Sequence, residues 1–103
     1  MKTKFESAFL KTIKKHVSIK KLVQKKVDMI IESPITMGEP LKGNWQGFYS
    51  CPVKSNFIII YLYCAVCRKK KDDAIVLCDD CKDHEDETLK FILLGPHDET
   101  YNK

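Results

Sequence analysis

The sequence predicts an α+β domain in which an N-terminal helical hairpin packs on one face of a mostly antiparallel, twisted sheet. Two amphipathic patterns of helical period fill the first third of the chain, and aromatic and β-branched runs typical of strands follow them. A chain of 103 residues has room for one hydrophobic core. We therefore expect a single domain over residues 1–103.

The helical hairpin is predicted from two apolar stripes. In the first, an apolar residue recurs at every fourth position from Phe5 to Val17, and Ser7 is a suitable cap near the helix start. The second pattern begins at Ser18 and ends where Ser33 precedes a proline, because that position disfavours helical backbone. Lysines lie away from both stripes, so each helix buries one side only and needs a sheet to cover.

The strands are predicted from composition and from the residues that bound them. Lys2 to Phe5 is expected to form a short strand ahead of the helices, and Gly38–Pro40 to form a loop after them. Pro52–Asn56 is expected to be the turn between two of the later strands. Three aromatic or β-branched runs have strand character: Trp45–Val53, Phe57–Tyr63 and Thr88–Leu94.

Charge is distributed unevenly along the chain. Residues 1–54 hold eleven lysines against four acidic residues, whereas residues 55–103 hold seven basic residues against ten acidic ones. Seventeen of the 18 basic residues are lysine, which attracts phosphate as a point charge and does not read base edges bidentately as arginine does. The basic half therefore indicates either contact with a polyanion or simply a solvated, solubilising surface.

The sequence predicts a cytoplasmic protein that does not span a membrane. Its longest apolar run, Phe57–Cys67, has 11 residues, and a bilayer span needs about 20. The first fifteen residues alternate lysines with single apolar residues and lack the continuous apolar stretch of a secretory signal.

Four of the five cysteines form two CxxC pairs. Cys64 and Cys67 make the first pair, Cys78 and Cys81 make the second, and ten residues separate the two pairs. Two such pairs on the arms of a hairpin supply the tetrahedral set of thiolates that Zn²⁺ prefers, so we expect a structural zinc with no open coordination position. In an oxidising compartment the same cysteines would form two disulfides instead. Cys51 is left over and is expected to be a small apolar strand residue.

Three stretches resemble the RelE/ParE superfamily of toxins from type II toxin–antitoxin systems. Pro40–Gly47 (PLKGNWQG) is similar to the family's entry into its second strand, and Asn56–Tyr61 (NFIIIY) to its third strand. Leu94–Tyr101 (LGPHDETY) resembles the C-terminal GxHxxxY/F signature, most closely in the YafQ-like branch. About residues 64–87 have no counterpart, so the CxxC pairs look like a small zinc-ribbon-like hairpin inserted into the toxin fold.

This resemblance implies a ribosome-dependent mRNA endoribonuclease, an mRNA interferase, whose partners are the ribosome, mRNA and an inhibitory antitoxin. His97 is the one histidine in a family motif and is expected to act as general acid or base. Tyr101, four residues on, would orient the scissile phosphate or stack on a base, or else pack on the sheet as a structural aromatic. His16 and His84 lie outside the motifs and are expected to be solvated.

The chain departs from the family at several site positions. Glu39 stands where the YafQ-like branch has a histidine, and we expect it to replace that base. Lys42 or Lys54 is expected to supply the cation for the phosphate, and Lys54 and Asn56 to contact substrate. Two other functions share features of this sequence: a ParE-like toxin that poisons DNA gyrase, and a non-catalytic zinc-ribbon binding module.

Overall fold

A computed structural model describes residues 2–54, 57–70 and 85–96 of the chain. Five strands form one sheet in the order β1-β5-β4-β3-β2. Only the β1–β5 pair is parallel among these strands, so the prediction of a mostly antiparallel sheet is confirmed. The strands are β1 (Lys2–Phe5), β2 (Glu39–Pro40), β3 (Tyr49–Lys54), β4 (Phe57–Tyr63) and β5 (Thr88–Pro96).

The predicted helical hairpin is present between β1 and β2. Helix α1 covers Ser7–Lys15 and helix α2 covers Lys20–Glu32, with a 3₁₀ turn at Val17–Ile19 between them. Helix α1 packs mainly on β5 and α2 on β3. Phe9 of α1 and Val23, Val27 and Ile30 of α2 are buried, which places the main core between the hairpin and one face of the sheet. Val17, the last residue of the first predicted stripe, is 67% exposed. Within the described ranges no helix is both long and apolar enough to cross a bilayer.

Aromatic rings hold the N-terminal strand and helix onto the sheet. The ring of Phe5 stacks on that of Phe91 with centroids 4.9 Å apart, and Phe9 packs against both rings at 5.5 and 5.8 Å. Phe9 and Phe91 are fully buried. Because Phe5 lies on β1, Phe9 on α1 and Phe91 on β5, this cluster joins three elements that are distant in sequence.

Tyr61 ties the end of α2 to the centre of the sheet. Its ring stacks on Tyr49 with centroids 5.5 Å apart, and its hydroxyl donates a 2.7 Å hydrogen bond to the carbonyl oxygen of Pro34. Gly38 lies so close that a Cβ there would overlap the Tyr61 hydroxyl. The segment from Pro34 to Gly38 therefore lies directly against the central strand, and it leads straight into β2.

The structure differs from the sequence prediction around the second long strand. We predicted a strand over Trp45–Val53, but β3 begins at Tyr49 and Gly43–Trp45 is a 3₁₀ turn. Gly47, inside the predicted range, has a φ angle of 96°, in the left-handed region and outside the extended backbone of a regular strand. Part of the predicted Gly38–Pro40 loop is strand, because Glu39 and Pro40 pair with Ser50 and Tyr49.

We expect Gly38→Ala to destabilise the protein by about 1–3 kcal/mol, because the new Cβ would force Tyr61 out of its packed position. Tyr61→Phe should cost about 1 kcal/mol through loss of the bond to Pro34. The free energies of unfolding from urea titrations of both single variants and the double variant measure the coupling. Gly38→Ala should cost less in the Tyr61→Phe background, and an equal cost in both backgrounds would contradict this account of the contact.

Candidate functional site

The face of the sheet turned away from the helices carries the candidate site. Tyr49 and Cys51 of β3 point into the helix-covered core, so the alternating Ser50 points to the other face. Strand register aligns Glu39 of β2 with Ser50, and Ser50 with Ile60 of β4. Because residues paired across a ladder share a face, the Glu39 carboxylate belongs to this open side of the sheet.

A groove with a volume of about 430 Å³ lies at the β2–β3 side of this face. The loop before β2 forms one wall through Thr36, and the sheet contributes Glu39, Ser50, Pro52 and Ile58. Glu39 is exposed, whereas Ile58 is buried beneath the groove. The groove thus has an apolar floor and a carboxylate at its rim, an arrangement that accepts a ligand with polar and apolar parts.

The last strand ends beside this groove. Gly95 pairs with Ile58, which lines the groove, and Pro96 pairs with Phe57. Pro96, the residue before His97 in sequence, therefore lies at the groove end of the sheet. His97 itself, Tyr101 and Asn56 lie outside the described residues.

The two predicted cations are not part of the groove. Lys42 immediately precedes the 3₁₀ turn, and Lys54 ends β3 opposite Phe57. Both side chains are exposed, and neither lines the groove that holds Glu39. Of the predicted site residues that the structure describes outside the cysteines, it therefore brings only Glu39 into the groove.

His16 lies at the same end of the molecule and is not simply solvated as predicted. It follows the last residue of α1, is half-buried, and its ring packs edge-on against Phe57 with centroids 5.0 Å apart. The sequence signal for this contact is weak, because it depends on where α1 ends relative to β4. Ser50, Pro52 and Ile58 were missed for a similar reason, since only the strand register places them around Glu39.

The first CxxC pair forms one turn of a helix and not an arm of a hairpin. Helix α3 covers Cys64–Lys69 and follows β4 without a break. Cys64 and Cys67 are 3% and 4% exposed and form a buried cluster with Leu62, against which Phe48 packs. Residues three apart on a helix share a side, so both sulfurs belong to one small region.

The second pair, Cys78 and Cys81, lies outside the described residues. Within the described ranges, no group of three or more histidine, cysteine or acidic side chains is positioned to hold a metal ion. The described pair alone therefore offers two sulfur donors, which is half of the predicted set of four.

Polar contacts hold the segment just before β5 onto the rest of the fold. Arg68 of α3 forms a 2.6 Å ion pair with Asp86, and the Tyr63 hydroxyl donates to both carboxylate oxygens of Glu87 at 2.9 Å. Burial, and then the hydrogen bond to Glu87, raise the pKa of Tyr63 above its usual range. The ends of the chain segment that joins α3 to β5 are thus held together through contacts that involve no cysteine.

A buried lysine lies on the same face of the sheet, which is turned away from α1 and α2. Lys90 of β5 is 4% exposed, pairs in register with Leu62, and its Nζ lies 3.8 Å from Oε1 of Glu6. Next to it on that side, the Thr88 hydroxyl is buried and makes no hydrogen bond. A buried ammonium needs a nearby counter-charge, and Glu6 supplies one from the residue before α1.

No protein-family model and no curated protein matches the chain. Its structure is similar to that of a YoeB/ParE toxin from Agrobacterium tumefaciens, with a TM-score of 0.69 and 13% identity over 94% of this chain and 99% of that one. The E. coli DinJ–YafQ toxin–antitoxin complex gives a TM-score of 0.64 at 16% identity, covering 96% and 94%. A metal-bound toxin from Helicobacter pylori gives 0.63 at 24%, covering 96% and 97%. The chain therefore has the fold of RelE-like toxins.

We expect Tyr63→Phe to lower the free energy of unfolding by about 1–2 kcal/mol at neutral pH, because a hydrogen bond to a carboxylate is lost. The raised pKa of Tyr63 stabilises the fold below the ordinary tyrosine pKa of about 10, and this contribution is lost as the pH rises through the folded-state value. Denaturant titrations at several alkaline pH values should show a shallower loss of stability in Tyr63→Phe than in the wild type. If the wild type and Tyr63→Phe lost stability equally with rising pH, ionisation of Tyr63 would not contribute to that loss.

Proposed function

We propose that this chain is the toxin of a type II toxin–antitoxin pair and that it cleaves mRNA on the ribosome. The observation that carries the proposal is the groove holding Glu39, which lies beside the strand end that leads to His97. Support also comes from the match to YoeB/ParE and YafQ toxin structures over nearly the whole of both chains. Because translating ribosomes are in the cytoplasm, the protein would act there. It would do so as a single domain over residues 1–103.

The reaction needs three groups around one phosphodiester bond. A base removes the proton from the ribose 2′-OH, and that oxygen attacks the adjacent phosphorus. The bond from phosphorus to the 5′ oxygen breaks, and an acid protonates the departing oxygen. A cation stabilises the charge that builds up on the phosphoryl oxygens between these events. The products are a 2′,3′-cyclic phosphate and a free 5′-OH.

The chain offers candidates for all three roles. Glu39 is exposed at the groove rim, where an ionised carboxylate can take the 2′-OH proton. His97 would protonate the 5′ oxygen, since an imidazole can both donate and accept a proton. Lys42 or Lys54 would meet the phosphate, and because both are exposed on flexible stems, they can reach it without lining the groove.

Two further residues complete the proposed substrate contacts. Tyr101 would orient the scissile phosphate or stack on a base, and Asn56 would donate a hydrogen bond to the RNA beside Lys54. Asn56 precedes the first residue of β4, whose partner Pro96 leads to His97. The described neighbours of Asn56 and His97, which are Phe57 and Pro96, pair with each other at one end of the sheet.

An acidic antitoxin is the proposed partner. Residues 1–54 carry a net charge of +7, and the outer sides of α1 and α2 expose six lysines: Lys11, Lys14, Lys15, Lys20, Lys21 and Lys25. Leu10 and Leu22 are 45% and 44% exposed on the same helices. Apolar side chains among lysines suit an acidic amphipathic helix better than a nucleic-acid backbone, and binding carried by these lysines would weaken with salt.

Structural zinc is proposed at Cys64, Cys67, Cys78 and Cys81. The buried thiols of Cys64 and Cys67 on one helical turn fit two positions of such a site. When bound, a zinc ion held by four thiolates has no position for water, so it would stabilise residues 64–87 and take no part in RNA cleavage. A metal-bound toxin from Helicobacter pylori shares the fold.

We expect His97→Ala to slow cleavage of ribosome-bound mRNA by roughly a hundred- to ten-thousand-fold, the usual contribution of general acid–base catalysis. Glu39→Gln should cost a comparable factor, whereas Glu32→Gln, an exposed glutamate at the end of α2, should cost nothing. Lys42→Ala should weaken RNA binding in a salt-dependent way. Product analysis by gel and mass spectrometry measures the rates and the end groups.

A 2′-deoxy nucleotide at the scissile position provides the chemical control for this mechanism, because it removes the attacking oxygen. Cutting should then stop. Equal cleavage of the deoxy substrate, or full activity of His97→Ala, would refute the interferase mechanism.

We expect protein purified under reducing conditions to contain about one zinc ion per chain. Cys64→Ser should lower that stoichiometry, and Cys51→Ser, which changes a buried cysteine of the main core, should leave it unchanged. Chelation should leave the far-UV circular dichroism of the sheet largely intact, because Arg68 and Tyr63 hold the segment before β5 without a cysteine. Elemental analysis showing no zinc, or full zinc in Cys64→Ser, would rule out this site.

A further inference from the structure

Ser50 places a hydroxyl beside the Glu39 carboxylate. The two residues are direct partners in the β2–β3 ladder. Partners of this kind have Cβ atoms about 4.5–5.5 Å apart and side chains on the same face of the sheet. Both residues line the groove described above. A hydrogen-bond donor is therefore held next to the carboxylate inside one site.

The strand fixes the position of this hydroxyl. Ser50 lies within β3, which pairs with β2 on one side and with β4 on the other. Its chain neighbours Tyr49 and Cys51 are 5% and 1% exposed, so the backbone on either side of it is held in the main core. Thr36, which also lines the groove, is exposed and lies on the loop before β2. Ser50 is thus the better positioned donor, and positioned donors contribute most to catalysis.

The Ser50 hydroxyl can donate to a bound ligand. Within the described ranges it makes no hydrogen bond to another residue. It is half-buried, and its partner on β4, Ile60, is completely buried. A hydrogen bond to a charged oxygen is stronger next to apolar groups than in bulk water. A ligand with an anionic oxygen at this position would therefore gain from the contact.

The spacing of the two side chains matches the spacing of the reacting groups in RNA. The 2′-OH and the phosphate that it attacks are attached to neighbouring carbons of one ribose. A groove that brings the 2′-OH to Glu39 therefore brings an oxygen of that phosphate to the cross-strand neighbour, Ser50. Negative charge builds up on the phosphoryl oxygens as the 2′ oxygen bonds to phosphorus, so this hydrogen bond is strongest in the transition state.

We propose that Ser50 is a catalytic residue that donates a hydrogen bond to one non-bridging oxygen of the scissile phosphate while Glu39 acts on the adjacent 2′-OH. This inference rests on the proposed function, because it assigns a role in the groove proposed to bind RNA. Ser50 keeps its proton throughout. The 2′-OH proton passes to Glu39, the bond from the 2′ oxygen to phosphorus forms, and the 5′ oxygen leaves with a proton from the acid of the proposed mechanism.

The kinetic test compares Ser50→Ala with Ser18→Ala, which changes an exposed serine of the 3₁₀ turn between α1 and α2. On ribosome-bound mRNA, Ser50→Ala should lower kcat by roughly ten- to a hundredfold, the value of one hydrogen bond to a charged group. Ser18→Ala should cleave at the wild-type rate.

Sulfur substitution identifies the phosphate oxygen that Ser50 contacts. Each non-bridging oxygen of the scissile phosphate is replaced in turn by sulfur, which accepts hydrogen bonds weakly. The wild type should cleave one of the two diastereomers more slowly than the other, and Ser50→Ala should lose most of that difference. Because both diastereomers are compared in the same protein, a loss of folded Ser50→Ala cancels in the ratio of rates.

A binding measurement separates this inference from the proposed function. The isotope-labelled chain is titrated with a dinucleotide in which a 2′-deoxy sugar prevents cleavage, and the amide signals are followed by NMR. The signals of Ser50 and Glu39 should move on binding, whereas that of Ser18 should not. Ser50→Ala should bind the dinucleotide several-fold more weakly than Ser18→Ala does, through loss of one hydrogen bond.

Three results would each overturn the role of Ser50: a wild-type rate in Ser50→Ala, a ratio of diastereomer rates that this substitution leaves unchanged, or a Ser50 amide signal that the dinucleotide does not move. Failure of the proposed function would look different. In that case the wild type cuts no ribosome-bound mRNA, and the dinucleotide titration still decides whether Ser50 contacts a phosphodiester.

Discussion

The hydrogen bond from the Tyr61 hydroxyl to the carbonyl oxygen of Pro34 positions the segment that leads into β2 and Glu39. Tyr61 lies at the centre of the sheet, packed against Tyr49 and Phe91, so its hydroxyl is a fixed point in the core. Burial raises its pKa well above the usual tyrosine range, which keeps the hydroxyl a donor at any physiological pH. The chain leaving α2 must pass over this hydroxyl, and Gly38 is the residue that lets it pass closely enough to enter β2.

The geometry of the candidate site depends on this hydrogen bond and on the close approach of Gly38 to Tyr61. Strand β2 is only two residues long. The position of Glu39 therefore depends on the pairing of β2 with β3 and on the anchored loop before β2. The other side of the groove comes from β3 and β4, whose register is set by the hydrophobic alternation of the core. A carboxylate is therefore held at the rim of an apolar groove by packing on the opposite face of the sheet.

Sequence reasoning predicted the elements whose patterns are local and missed those that depend on the register or on single backbone angles. The run Phe57–Tyr63 was predicted with its observed bounds, since its aromatic and β-branched residues fit a central strand. The predicted strand start at Trp45 was wrong, because Gly47 has a left-handed backbone angle and β3 begins only at Tyr49. Helix α3 was missed, since the zinc spacing favoured a hairpin over a short helix of mixed composition. Glu39 was found through the family resemblance, whereas the groove around it depends on pairings that no local pattern reveals.

The parallel pairing of β1 with β5 governs the order in which the protein can be completed. Lys2–Phe5 is synthesised more than 80 residues before its hydrogen-bonding partner Thr88–Phe91, and α1 also packs mainly on β5. Strand β1 and helix α1 therefore cannot complete their packing until residues 88–96 have left the ribosome. Contacts of such large sequence separation slow folding, because the loop must close before any of them forms. Synthesis of β5 is therefore the step that allows β1 and α1 to complete their packing.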